Sequence, residues 1–336
     1  MKINMIDNNN LTMCWVSPSV NTKDSFVRPE AHSPPFLFKN FLPLFLISVI
    51  LTTCTTLSPV SAEKEQPAVF SLIEDVKPQW LLFTDGIGYF HGKIFSPRLE
   101  FYALKIDLFA PNVGIVVKAG ANNGDLGTKV SSFVRDNNLV AGINAVPFDI
   151  ITSVEGQPIQ NMGIIISDGI LLSPANRHYD ALVFYDVQNQ DNEENSAPVR
   201  AAIVSQSSIH QSTQSIKNAV GGFHQILTDG EPAQRTLNNE SRHPRSAAGI
   251  CEDGRFLFLL VIDGRRANSA GSTENETALL LQAFGSHNGI NFDGGGSSAL
   301  VMRYPDGETR VVNTPIHGMI PGQERAVAGC LGISLK

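Results

Sequence analysis

The chain has 336 residues, 42% of them apolar and 17% charged, with a formal net charge of −7. That is enough apolar material for one large domain or two small ones, and too little basic charge to displace counterions from a nucleic-acid backbone, which excludes nucleic acid as a partner. An anionic substrate would have to be held by a few placed arginines, because the overall field weakly repels it.

Residues 1–62 read as an export leader. Arg28 and Lys39 precede an apolar stretch from Phe41 to Leu51, and the small-residue pattern Val60-Ser61-Ala62 follows. The apolar stretch is much shorter than the roughly 20 residues of a spanning helix, so a cleaved signal is expected and no stable transmembrane anchor. Leu51-Thr52-Thr53-Cys54 resembles a lipobox, which makes a lipid anchor at Cys54 the alternative. Residues 63–99 are expected as an N-terminal extension and 100–336 as a single catalytic domain.

Along that domain, Phe101 to Phe109 and Val113 to Lys118 are strand-like and flank Ala110-Pro111-Asn112, which predicts a hairpin. Lys129 to Asn137 spaces Val130, Phe133 and Val134 as a helix, and Leu139 to Asn144 returns to a strand. Strands are predicted at Met162 to Ser167 and Ile170 to Leu172 around Asp168-Gly169, at Ala181 to Val187 and at Val199 to Ser205. Gln188 to Ser196 and Ser205 to Lys217 are expected as solvated loops. Ala247 to Cys251 and Phe256 to Asp263 form a second predicted hairpin. A helix follows, with capping-box spacing at Thr273 and Glu276 and a terminating Gly285. Strands at Ile290 to Asp293, Ala299 to Tyr304, Thr309 to Asn313 and Val327 to Leu335 complete the chain. So many strands with few helices predict an α+β fold with a mixed, mainly antiparallel sheet and a few packed helices.

Cys251 and Cys330 sit in apolar strand contexts and are expected as buried thiols rather than a bridge. There is no Cys-x-x-Cys pair and no His-Glu-x-x-His, so zinc has no support. No certain cofactor is indicated, and a divalent cation stays open.

The chemistry concentrates at Asn291-Phe292-Asp293-Gly294-Gly295-Gly296-Ser297-Ser298. Three glycines after a strand cost backbone entropy, which a ligand brought close to backbone N–H groups would offset; Ser297 and Ser298 add hydroxyls beside such an anion cradle. The alternative is a tight turn with a bulge. Asp293 beside the cradle is a poor packing choice and a sensible nucleophile or base. The run lacks the Gly-Lys-Ser/Thr of a phosphate-binding loop and the geometry of a Gly-x-Ser-x-Gly elbow.

A hairpin would bring the cluster His243-Pro244-Arg245-Ser246 to Asp263-Gly264-Arg265-Arg266, so that Arg245 and Arg265 clamp one phosphate by forked hydrogen bonds. Asp263 has the alternative of pairing with an arginine at a sheet end, and Glu276 that of the helix cap. Asp149 after Pro147 is either a pocket rim or a turn cap. Glu324-Arg325 is expected as an orienting ion pair.

Taken in order, Gly142-Ile143-Asn144, His243 to Ala247, Asp263-Gly264-Arg265, Thr273 to Glu276, Asn291 to Ser298, and Arg310 to Asn313 with Glu324-Arg325 resemble the phosphodiester glycosidase family. The likeness runs from about Phe101 to the C-terminus. One departure is that Ala145-Val146-Pro147 stands where the family usually has glycines. The resemblance implies an exported hydrolase that cleaves between a sugar's anomeric carbon and a phosphodiester. It implies Asp293 as nucleophile or base with Asp263 or Glu276 as further carboxylates. Arg245 and Arg265 would hold phosphate, and Asn144, Asn291 and Ser298 would position the substrate, a sugar phosphate or glycan polymer of the envelope. Two other functions fit the same residues: a non-catalytic sugar-phosphate-binding module, and a metal-dependent phosphodiesterase with Asp263, Asp293 and Glu276 as ligands.

Overall fold

The computed structural model describes residues 73, 76–119, 126–186, 199–211 and 216–336. The leader, Cys54 and the loop expected at Gln188 to Ser196 lie outside the described residues. The described residues all fall within one compact unit.

The chain opens with β1 (Leu81–Thr84), β2 (Ile87–Phe95), β3 (Arg98–Asp107) and β4 (Val113–Ala119), then helix α1 (Val130–Asp136) and β5 (Ala141–Asn144). Next come β6 (Ile165–Ser167), β7 (Ile170–Ser173), β8 (Asp180–Asp186), β9 (Val199–Ser205) and β10 (Asn218–Gly221). The second half holds β11 (His224–Thr228), β12 (Glu231–Pro232), β13 (Arg245–Ile250), β14 (Phe256–Ile262), helix α2 (Glu274–Ala283), β15 (Asn288–Asn291), β16 (Leu300–Arg303), β17 (Thr309–Val311) and β18 (Gly329–Leu335). They build a large sheet of order β1-β2-β3-β14-β13-β15-β11-β12, a second of order β7-β6-β10-β8-β9 and a third of order β17-β16-β5-β18-β4.

Every pairing between these strands is antiparallel. The fold is therefore more β-rich than the mixed α+β sheet expected, with 46% strand against 13% helix. The reason lies in the connections, because antiparallel neighbours are joined by turns and need no crossover helix. Asp168-Gly169 (φ 46° and 79°) and Asp229-Gly230 (φ 51° and 83°) hold both turn residues in the left-handed region, which matches the twist of a hairpin.

Most predicted elements lie where expected, and the hairpin of β13 and β14 pairs from Arg245 opposite Ile262 to Ile250 opposite Leu257. The hairpin predicted for β3 and β4 does not form. β3 pairs with β2 and β14, whereas β4 pairs with β18. Between them the Asp107 carboxylate accepts from Phe109 N–H and from Arg255 at 2.7 and 2.9 Å, and the chain passes from the large sheet to the third. The segment expected as an extension supplies β1, β2 and the start of β3 to the large sheet. Ser205 to Lys217 is also more than a solvated loop. Gln206 is buried, and its side chain ties Ile164 N, Asn176 N and Asp180 O together. Cys251 and Cys330 are free thiols; Cys330 is buried as expected, whereas Cys251 is only half-buried.

Alternation along β3, β13, β14 and β15 sends one set of side chains to each face of the large sheet. Leu104, Ile106, Leu259, Val261 and Ile290 meet Ile143, Leu331 and Leu182 of the other sheets. Ala103, Phe258 and Leu260 meet Leu280, Leu281 and Phe284 of and beside α2. That helix carries the complete capping box of Thr273 and Glu276, and Gly285 ends it at φ 99°. Both cores close at the end of β15: Phe292 N–H donates to Ser246 O, and Asp293 N–H to Ala145 O, each at 2.8 Å. The glycine run thus leaves the large sheet where it meets the third.

Candidate active site

Asn144, the last residue of β5, is fully buried, and protein occupies its whole amide. Its Nδ2 donates to Asp293 O at 2.6 Å, and its Oδ1 accepts from Ser246 Oγ at 2.7 Å and Ala299 N at 3.1 Å. Instead of facing substrate, as expected from the sequence, Asn144 staples the two ends of the glycine run to two sheets. Replacing Asn144 with Ala would strand a buried N–H and a hydroxyl and empty the amide's space. A loss of about 2–4 kcal/mol in denaturant unfolding is expected.

Asp293 is half-buried, and its carboxyl is densely surrounded. Burial is the main cause that pushes its pKa up to about 6; a hydrogen bond from Ser297, the charge of Arg325 and the N–H of Gly294 pull the other way without cancelling it. Arg325 Nη1 donates to Ser297 Oγ at 3.1 Å and its Nε lies 3.1 Å from His317 Nδ1. Arg265 reaches the loop from the other side, 3.5 Å from His243 Nδ1. Burial, then the neighbouring guanidiniums, lowers the pKa of both histidines and favours neutral rings: Arg325 acts on His317, Arg245 and Arg265 on His243.

The glycines have a steric purpose that the sequence did not reveal. A Cβ on Gly296 would stand 2.5 Å from Arg325 Nη2, and one on Gly295, which has φ 63°, would stand 3.1 Å from Arg265 Nη2. Two guanidiniums lie where side chains would otherwise be. The expected nest of backbone donors is largely spent: Gly295 N–H donates to Pro244 O, Ser297 N–H to Gly294 O and Ser298 N–H to Gly295 O. The positive groups beside the loop are therefore the arginines rather than the loop's amides. Among the described residues neither Arg265 nor Arg325 is in a salt bridge.

The pairing of Arg245 with Arg265 is corrected. Arg245 projects to the opposite face of the large sheet, where its guanidinium donates to Ser272 O and Ser241 O at 3.2 Å and lies 3.6 Å from Glu274. The second arginine at the loop is Arg325, and Glu324 is not its ion partner. The Glu324 carboxylate accepts instead from Ser131 N and Oγ at the start of α1. Adjacent residues of an extended segment point in opposite directions, which is the only signal that separates Arg325 from Glu324 in sequence.

Asp263 is 1% exposed and tied to Arg266, Asn313 Nδ2 and Thr314 N–H. Through Asn313, which also donates to Ser298 O, it braces the far end of the glycine run. Both Glu276 oxygens are used, one by Thr273 N–H and one by Arg242. A stability loss of about 1–2 kcal/mol with turnover within a few-fold of wild type is expected for Thr273→Ala, read by thermal melting and a rate assay. The three-carboxylate metal site is corrected as well: Asp263, Glu276 and Asp293 are held apart by these partners, and no group of three metal-ligating residues occurs among the described residues. Asp149 is exposed, and its carboxylate accepts from Gln160 N–H across the loop rather than capping a local turn. Asn291 Oδ1 and Ser298 Oγ are buried without a partner, polar capacity that the protein leaves unused beside the loop.

The chain belongs to the phosphodiester glycosidase family, whose model matches residues 137–334. Its fold is shared with the catalytic domain of zebrafish N-acetylglucosamine-1-phosphodiester α-N-acetylglucosaminidase, auto-inhibited by its pro-peptide (TM-score 0.54, 19% identity, 79% of this chain and 92% of that one). A hypothetical protein from Synechocystis is similar over 78% of this chain (TM-score 0.53, 15% identity), and the chain covers 64% of that protein's length. A Burkholderia pseudomallei protein described as exported matches with TM-score 0.53 and 15% identity over 70% of this chain and 74% of its own. No curated protein matches the sequence. No helix among the described residues is long and apolar enough to cross a membrane.

Proposed function

We propose that the chain is an exported hydrolase that cleaves the bond between a sugar's anomeric carbon and a phosphodiester oxygen, on envelope or extracellular glycans. The observation that carries this reading is the pair of guanidiniums, Arg265 and Arg325, lying over Gly295 and Gly296, with Asp293 the carboxylate whose charge acts on Arg325. Family membership supports the glycosidic bond as the target, and the leader pattern supports export.

The phosphodiester sits against the two guanidiniums, which match its oxygens in forked hydrogen bonds. Asp293 faces the anomeric carbon as nucleophile or as the base that takes a proton from water. The bond from carbon to the bridging oxygen breaks, water's oxygen ends on the sugar, and the phosphate leaves as the monoester of the remaining alcohol. Such a leaving group is weakly basic and needs less protonation than an ordinary alcohol. The arginines stabilise the charge that gathers on it.

Cleavage in water enriched in oxygen-18 tests the bond. The phosphomonoester product is expected without label, and label on phosphorus would mean attack at phosphate and end the glycosidase reading. Because Asp293 must be ionised to act, kcat/KM is expected to fall tenfold per pH unit below about pH 6. A flat profile from pH 5 to 8 would remove Asp293 from that role.

A further inference from the structure

The segment after Asn144 takes no part in the reaction above, yet it carries side chains unsuited to a solvent-facing loop. Ile150, Ile151 and Val154 are 56%, 64% and 55% exposed, and in a second loop Met319 and Ile320 are 63% and 57% exposed. Single exposed apolar residues are ordinary, but five on two loops that both adjoin Arg325 call for an occupant. Two of them are held at a conformational cost: Ile150 has φ 54° and Met319 φ 65°, in the left-handed region that bulky side chains avoid.

Both loops are continuous with the site. The 148–154 loop springs from Ala145, whose carbonyl holds Asp293 N–H, and Thr152 O accepts from Ala326 N–H at 3.0 Å, next to Arg325. The loop bearing Met319 and Ile320 begins at His317, which contacts Arg325 and passes over Gly296. Arg325 therefore stands between the two apolar loops.

We infer that this rim receives an apolar aglycone, so that the substrate is a sugar phosphodiester whose second ester carries an alkyl or lipid chain. The inference rests on the reading under Proposed function and deepens it. With the sugar at Asp293 and the phosphate on the arginines, the second ester leaves past Arg325 into the gap between the loops. A hydroxylated aglycone would leave all five side chains wet, whereas an alkyl chain takes them out of water. Ala145-Val146-Pro147, all three buried, leads into this rim.

The test compares N-acetylglucosamine 1-(methyl phosphate) with 1-(octyl phosphate), both below the micelle-forming concentration. Wild type is expected to favour octyl at least tenfold in kcat/KM, through KM. The triple variant Ile151→Ser, Met319→Ser, Ile320→Ser should bring the ratio within about threefold, with methyl turnover and melting temperature unchanged. Equal ratios in wild type, or a preference that survives in the triple variant, overturn the inference. So does a preference seen only when substrate is embedded in phosphatidylcholine vesicles that sediment with the protein, for the rim would then bind a membrane. If neither diester is cleaved, the glycosidase reading fails separately. Calorimetric binding of the octyl diester still decides the rim: tenfold weaker binding to the triple variant supports it, and equal binding overturns it.

Discussion

Asp293→Asn is expected to lose at least about 10³ in kcat while still binding a sugar phosphodiester, and to melt at a higher temperature than wild type at pH 8. The first effect follows from removing the group that attacks or activates water. The second follows from burial. The carboxyl has a pKa of 3.8 in ordinary surroundings and about 6 in the folded chain. Below pH 3.8 it is protonated folded and unfolded alike, and the wild type carries no penalty. As pH rises through about 6 the folded state must ionise a group that burial disfavours, and stability worth up to about 3 kcal/mol is lost. Asn avoids that loss, so the difference in melting temperature should grow from pH 4 to pH 7. Retained turnover would sink the assignment, and retained binding without turnover separates an enzyme from a module that merely binds sugar phosphate. A site that stores such strain and gains stability when disarmed is what pre-organised chemistry requires.

Arg325→Lys is the second large effect, with a loss of about 10²–10³ in kcat/KM expected. A lysine keeps the charge but cannot donate at once to Ser297 Oγ, to His317 Nδ1 and to a phosphate oxygen, as the guanidinium fork does. Arg325→Met should lose more and also move the acid limb of the rate profile to higher pH, because the Arg325 charge helps keep Asp293 ionised. Gly296→Ala reaches the same end from the backbone, since its methyl would stand 2.5 Å from Arg325 Nη2. If Arg325→Lys were as active as wild type, anion binding would have to be placed elsewhere.

Local pattern accounts for what could be read in advance. The hairpin of β13 and β14, the capped α2 and the Asp-Gly turns each depend on residues within a dozen positions of one another. Capping-box spacing and left-handed turn preferences act over that range. The partnership of β3 with β14 does not, because both strands are apolar on both faces and could pair with any strand of like length.

The same division runs through the active site. Asp293 and its three glycines stand out in the sequence because a carboxylate and backbone freedom in one run serve a purpose beyond packing, and the family follows from the ordered motifs. Which arginines lie beside Asp293 is a matter of three dimensions. Arg245 lies on β13, whose alternation carries it to the α2 face, while Arg325 precedes the bridge that Ala326 makes to the 148–154 loop and lies against Gly296. Asn144, Asp263 and Glu276 have the chemistry of catalysis, but burial and saturated hydrogen bonds make them braces. The sequence by itself determined the carboxylate, its loop and its family; tertiary structure decided its partners, because side-chain direction and burial depend on strand register and on contacts between residues far apart in the chain.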